Sequence, residues 1–422
     1  MPTQFVREQR QWARHVHKYL LMKFAALFCV LALPVSAAAQ GAQTASSDTL
    51  EKLPIPGWGK AIADSFSKPL HPVIGGVATG GGVGAGLGYN SSRDASWFQT
   101  GKAMATYRGY WSLEGEAGRR PSSRRSQVAA FGAVRDMGRL SYYGIGPDSV
   151  LGNRTAYRLR ETTFGTRGWF RPVNSVRLGG SVAAYMPDLG TAGRTKVPSI
   201  ESVFVDGSIP AFGNEPTFGR YRGFAEFVHP VLDEAEMLEH PSRYRGAYQV
   251  AFEAVRDYRT GRYNFHRWET EVQQRIPGFK PGQRLTLHGF LATTNSTADV
   301  PFYLLYTLGG SGGLKTFRPD MLGGDGTRAT LRGFRDFRFR DRNAVLMQAE
   351  YRIPIHKYVH TTVFVDAGQV APRASALFSD IRGNTGFSLS YMRKGRTLGR
   401  MDVGFGGGEG VRVFWSFGAF LD

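Results

Sequence analysis

Charged side chains recur at the centres of stretches that otherwise alternate apolar with polar residues. In "YQVAFEAV", Tyr248, Val250, Phe252 and Ala254 fall on one face of an extended chain, with Gln249 and Glu253 on the other. In "LTLHGFLA", Leu285, Leu287 and Leu291 alternate with Thr286 and His288. In "AVLMQAEYRIPI", Val345, Met347, Ala349, Tyr351 and Ile353 oppose Gln348, Glu350 and Arg352, and in "TTVFVDAG", Val363 and Val365 oppose Thr362 and Asp366. Such period-two alternation predicts strands with one apolar face. A soluble sandwich also alternates. The charges decide between them: Glu253, Glu269, Glu271, Glu350, Arg352, Asp366, Arg400 and Asp402 all fall in mid-strand. Aromatic residues gather toward segment ends, as in "YNFHRW", "PFYLLY" and "VFWSFGAF". An apolar outer band, aromatic girdles and a charged interior are the requirements of a transmembrane barrel. Closing the sheet also satisfies the edge hydrogen bonds that hydrocarbon cannot. The expected fold is all-β, a transmembrane antiparallel β-barrel of about 16 strands at roughly 20–22 residues per strand and connection.

The first 39 residues have a different texture. Arg7, Arg10, Arg14, Lys18 and Lys23 precede the apolar run "FAALFCVLALPV", and "SAAAQ" follows. A basic start, a short apolar centre and an Ala37-x-Ala39 cleavage pattern predict a secretory signal peptide over 1–39, with Gln40 as the mature N-terminus. The apolar run falls short of the roughly 20 residues a spanning helix needs. Met22 also heads a leader of ordinary length. The single cysteine, Cys29, lies within this leader, so neither a disulfide framework nor a thiol nucleophile is expected. Residues 40–71, with "SSDTLEKLPIPGWGK", predict a periplasmic linker holding at most one short helix near 60–67. About 30 residues is less than a folded domain usually needs. Residues 72–422 form the expected barrel.

Without the leader's five basic residues and one acidic residue, the formal net charge falls from +19 to +15. In a cytosolic chain that charge would suggest nucleic acid. In an exported one it meets outer-membrane lipid and lipopolysaccharide phosphates, or lines lumen and loops without a specific partner. Nucleic acid is therefore not an expected partner.

Several chemical motifs fail on context. "GGGVGAGLG" at 80–88 loosely resembles a dinucleotide fingerprint but lacks a βαβ setting. "GGSGGLKT" at 309–316 mimics a phosphate loop, yet Leu314 stands where glycine is required before Lys315. "HKYVH" at 356–360 places two histidines four apart, a spacing that shares a face only on a helix, and carries Lys357 where a zinc protease needs glutamate. No serine-hydrolase element is present. No enzyme activity, cofactor or metal site is expected. "GRRPSSRRSQ", 118–127, suits an arginine-rich turn, either solvated or, on an outer surface, paired with phosphates.

Four stretches resemble the bacterial surface antigen family, the barrel of the superfamily that includes BamA, TamA and the two-partner secretion transporters. "LGGDGTRATLRGF" resembles that family's inward-folded loop and its Arg-Gly tip, and "LMQAEYRIPI" with "FVDAG" resembles the two strands after it. "YYGIGPDS", 142–149, resembles an early barrel element, and "HPVIGGVATGGGVGAGLGY" a first strand. The resemblance implies an inward loop with the tip Leu331, Arg332, Gly333 and Phe334. Gly323, Gly324 and Gly326 would turn that loop, since glycine accepts positive φ. It also implies that Arg332 pairs with Glu350 and Asp366, whose positions lie on the polar faces of their strands. The function implied is insertion or translocation of proteins or lipids at the outer membrane. The alternative is a passive pore or structural surface antigen.

The implied partners are membrane lipid, lipopolysaccharide and the barrel-assembly machinery during biogenesis. Two departures stand out. The periplasmic repeat domains of the family are not found before the barrel, so the substrate-receiving part is expected to be either missing or supplied by a separate periplasmic partner protein. The chain also ends "FGAFLD", with Phe420 third from last, where the family's assembly signal usually finishes on an aromatic residue.

Overall fold

The computed structural model describes residues 69–417 except 92–95, 122, 124, 194–195, 205–208, 214, 232–243, 296–298, 311–329 and 394–395. The predicted leader, nearly all of the linker, and Gly323, Gly324 and Gly326 therefore lie outside the described residues.

The early strands are β1 (Leu70–Gly75), β2 (Gly84–Asn90), β3 (Trp97–Thr106), β4 (Trp111–Arg119), β5 (Ser126–Tyr142), β6 (Thr155–Val173) and β7 (Val176–Thr191). Next come β8 (Phe218–His229), β9 (Arg245–Asp257), β10 (Phe265–Pro277) and β11 (Arg284–Thr294). A short ribbon, β12 (Tyr306–Leu308) and β13 (Phe339–Asp341), precedes β14 (Asn343–Pro354), β15 (Val359–Ala371), β16 (Arg382–Arg393), β17 (Arg396–Phe405) and β18 (Arg412–Phe417). All but β12 and β13 join one 16-stranded sheet in chain order, every neighbouring pair antiparallel. β1 and β18 come within 8 Å, Cα to Cα. No ladder pairs them among the described residues. The result is a nearly closed up-and-down barrel whose edges meet at a seam. Among the described residues β1 and β18, six residues each, are the shortest strands of the wall, against 19 for β6. β1 begins two residues before the expected boundary at 72.

Side-chain alternation holds around the wall. Leu113, Phe164, Val182, Val250, Val363 and Leu389 face outward and are exposed, while Glu253, Glu269, Glu271, Asp366 and Asp402 face inward and are buried. An exposed apolar band of this extent is not tolerated in water and suits hydrocarbon. Exposed Trp97, Phe170 and Phe227 lie toward the end where the sheet begins and finishes; Tyr107, Trp111, Tyr258 and Trp268 lie toward the other. No helix among the described residues is long and apolar enough to cross a membrane.

Part of the interior is filled by packed side chains. Toward the far end, Tyr142, Tyr157, Tyr185, Phe218, Phe265 and Phe302 pack into one buried cluster. "PFYLLY" belongs here, not to an outer girdle: Phe302, Tyr303 and Leu304 form a 3₁₀ turn buried within the barrel. The stretch is apolar on every face, so alternation could not place it on a wall with one wet side.

Candidate functional site

The segment Thr330–Arg338 runs inside the barrel after the chain leaves β12. Gly309 and Gly310 turn it with φ of 118° and 87°, in the left-handed region glycine accepts. The Gly310 N–H donates to the Leu331 carbonyl at 3.0 Å and the Thr330 N–H to the Gly310 carbonyl at 3.1 Å, so Gly310 is bonded directly to residues 330–331. Leu331 and Phe334 anchor the segment in a second apolar cluster with Phe290, Leu308, Phe339 and Leu346.

Arg332 lies between them, 1% exposed. Its Nε and Nη2 donate to the two oxygens of Asp366 at 2.9 and 2.6 Å, a fork-to-fork contact that fixes orientation as well as charge. Its backbone N–H donates to Asp366 Oδ2 at 3.1 Å. Nη1 reaches Glu350 Oε1 at 2.5 Å and Asp402 Oδ1 at 3.3 Å. Gln348 and Asn384 complete the shell of Asp366, each donating an amide hydrogen at 3.0 Å. A second cation, Arg400, joins Glu350 at 2.9 Å and Asp402 at 2.8 Å, and Ser388 donates to Asp402 at 2.6 Å. Two guanidinium groups thus hold three carboxylates together. Burial alone would push Arg332 down; the adjoining Asp366 and Glu350 reverse this and hold it above its ordinary value.

Gly333 permits the approach. A Cβ there would lie 2.6 Å from Asn384 Cβ and 2.9 Å from the Phe405 carbonyl oxygen. Opposite it, a Cβ on Gly404 would collide with the Arg332 carbonyl oxygen. Glycines on both sides bring the loop backbone against β16 and β17, and larger residues would hold it away.

The structure thus brings together Leu331, Arg332, Gly333, Phe334, Glu350 and Asp366. It adds Asp402 and Arg400, which the sequence marks only as mid-strand charges, and Phe364, whose ring underlies the Arg332 guanidinium. A further contact involves one of the resembling stretches. "YYGIGPDS" meets the ribbon beyond the loop: the Gly146 N–H donates to the Arg340 carbonyl at 2.7 Å, and Arg338 Nη1 donates to Ser149 Oγ at 2.7 Å. Arg338 Nε also reaches Glu409 Oε1, in the β17–β18 connection, at 2.5 Å. The loop is therefore tied to both early and late parts of the wall. Arg340 is buried among Tyr142, Tyr157 and Phe302, donating to the Tyr157 hydroxyl at 3.1 Å and the Phe302 carbonyl at 2.8 Å. No group of metal-ligating side chains occurs among the described residues. "GRRPSSRRSQ" bridges β4 and β5 at the end where the sheet begins and finishes.

Comparison with known proteins follows the geometry. A family model described as the Omp85 superfamily domain matches residues 206–419. The crystal structure of BamA from Haemophilus ducreyi lacking POTRA domains 1-3 superposes with a TM-score of 0.54 at 13% identity, covering 83% of this chain and 69% of that one. CdiB from Acinetobacter baumannii gives a TM-score of 0.49 at 12% identity, covering 83% of this chain and 58% of that one. A search of the curated proteins finds no match.

Proposed function

The chain belongs to the Omp85 superfamily, and from that premise we propose that it is a non-enzymatic outer-membrane barrel aiding insertion or translocation of proteins or lipids. The observation that carries this reading is the seam. Fifteen neighbouring strand pairs are laddered, whereas β1 and β18 approach without a ladder among the described residues. Unpaired strand edges are costly in hydrocarbon and are templates for another strand. A barrel whose edges meet without pairing is suited to open there, with the Arg332 segment keeping the lumen filled while it does. The passive-pore alternative asks for a clear lumen, and the buried clusters around Phe302 and Leu331 argue against it.

The test uses seam-locked protein. Cysteines replace Ile74 in β1 and, in turn, Val413 or Trp415 in β18, all exposed on the outer face. The full chain is placed in liposomes, and the rate at which an added unfolded barrel protein assembles is followed by its gel mobility. The expected result is several-fold acceleration that vanishes on oxidation and returns with reductant. No acceleration in the reduced state, together with steady wide conductance in planar bilayers, would establish the passive pore instead.

A further inference from the structure

Four inward arginines toward the end where the sheet begins and finishes form two cross-strand pairs. Arg245 lies directly opposite Arg275 in the β9–β10 ladder, and Arg284 directly opposite Arg352 in the β11–β14 ladder. Opposed side chains on one face have Cβ atoms about 4.5–5.5 Å apart, where like charges are destabilising. These two pairs occupy four adjacent strands, a width of about 15 Å at the usual strand spacing. Deeper in the lumen arginines are matched by carboxylates: Arg220 and Arg267 by Glu253, and Arg222 by Glu269. Glu350, two residues before Arg352 on the same face, is held by Arg332 and Arg400.

Arg352 carries the argument furthest. It is 8% exposed, and its Nη1 hydrogen bond goes to the Met392 sulfur at 3.3 Å. Its Nε and Nη2 are buried with no partner among the described residues. A thioether is a weak acceptor, and buried donors without acceptors carry the full cost of desolvation. On β15, Thr362 faces Arg352, and His360 is the next inward residue toward the same end. The Nδ1 of His360 is likewise buried without a partner. Arg352 and His360 thus present buried nitrogens that meet no partner among the described residues.

We propose that this cluster is an oxyanion site that takes a phosphate group, with Arg352 and His360 contacting its oxygens and Arg245, Arg275 and Arg284 supplying the surrounding positive field. A guanidinium fork matches two phosphate oxygens at once, and a phosphate offers acceptors to more than one arginine. Bound there, it turns the repulsion between opposed arginines into shared attraction. Two sources carry this chemistry, a phospholipid headgroup and a free phosphate compound. The site stands apart from the seam and does not depend on an assembly role.

The full chain, folded in zwitterionic micelles at fixed ionic strength, is titrated with inorganic pyrophosphate and separately with dihexanoyl phosphatidylglycerol. Thermal unfolding is read by tryptophan fluorescence, with added dihexanoyl phosphatidylcholine as the uncharged control. The expected result is a saturable rise in unfolding temperature with at least one anion, and the one that acts identifies the source. Arg352→Gln should fold with unchanged or higher unfolding temperature in the absence of anion, and bind at least tenfold more weakly. Arg284→Gln provides the same comparison should Arg352→Gln fail to fold, and Arg256→Gln, on the outer face, should keep the full response. No saturable rise with either anion, or an undiminished rise in the arginine variants, overturns the proposal.

Discussion

The guanidinium carbon of Arg332 stands 3.5 Å from the centre of the Phe364 ring, on the strand that also supplies Asp366. The aromatic face covers one side of the cation, and carboxylates take its edge. Cation–π contact and forked hydrogen bonding use different parts of a planar guanidinium, so both operate together. An ammonium could not reproduce this arrangement.

Replacing Arg332 with Ala should therefore loosen the loop while leaving the wall folded, because the strand ladders do not depend on this contact. Breaking one partner out of a buried pair costs about 3–5 kcal/mol; water in the lumen should bring the loss toward the lower value. Limited proteolysis should cut faster between residues 330 and 342, and Arg332→Lys should restore little protection. Double-mutant cycles of Arg332→Ala with Asp366→Ala and with Glu350→Ala should show coupling above 0.5 kcal/mol, the level that separates contacting residues from independent ones. Strict additivity in both would remove the proposed role of the cluster.

Glycine at 333 and 404 should be required for docking. Gly333→Ala meets Asn384 Cβ and the Phe405 carbonyl, and Gly404→Ala meets the Arg332 carbonyl. Overpacking of this kind typically costs about 1–3 kcal/mol. Either variant should reproduce the protease sensitivity of Arg332→Ala, and combining either with it should add little further. Full protection in both variants would mean that the loop backbone does not lie against β16 and β17.

The outer face should behave as a lipid face. Val182 points outward near the middle of β7 and is 52% exposed, whereas Ser181 points inward. An arginine at the centre of a lipid-facing strand costs about 2–4 kcal/mol. Val182→Arg should show that loss in denaturant titrations of folding into lipid vesicles, and Ser181→Glu, which meets Arg167 and Arg222 across the two ladders, should be nearly neutral. Equal costs at both positions would contradict a bilayer around the wall.

The stretch before β1 should be dispensable for closure. Deleting residues 41–68 removes no residue of the 16-stranded sheet. Protein lacking them should still fractionate with the outer membrane and still change gel mobility on boiling. Loss of that heat-dependent shift would show that the segment supports the barrel.

Much of the wall could be read directly from residues. Glu350 and Asp366 interrupt alternating strands, and hydrocarbon outside with charge inside accounts for both positions. The pairing of Arg332 with them was available only through resemblance, since nothing local to "TLRGF" says where its side chain ends. Arg400 and Asp402 were visible as inward charges, but their arrival beside Glu350 depends on register summed across β15, β16 and β17. "PFYLLY" has no alternation, and a stretch apolar on all faces suits an interior or a membrane girdle equally. The contacts of Arg340 with Tyr142, Tyr157 and Phe302 leave no periodic trace, because the partners come from three distant parts of the chain.

The carboxylates around Arg332 all follow it in the chain, by 18, 34 and 70 residues. Synthesis therefore presents the cation before any of its counter-charges. Its full set of counter-charges needs β14 for Glu350, β15 for Asp366 and β17, the last strand but one, for Asp402. A barrel stalled short of that strand keeps its loop incompletely satisfied and open to proteases, whereas a finished one hides it. The cluster thus ties the docking of the loop to completion of the wall.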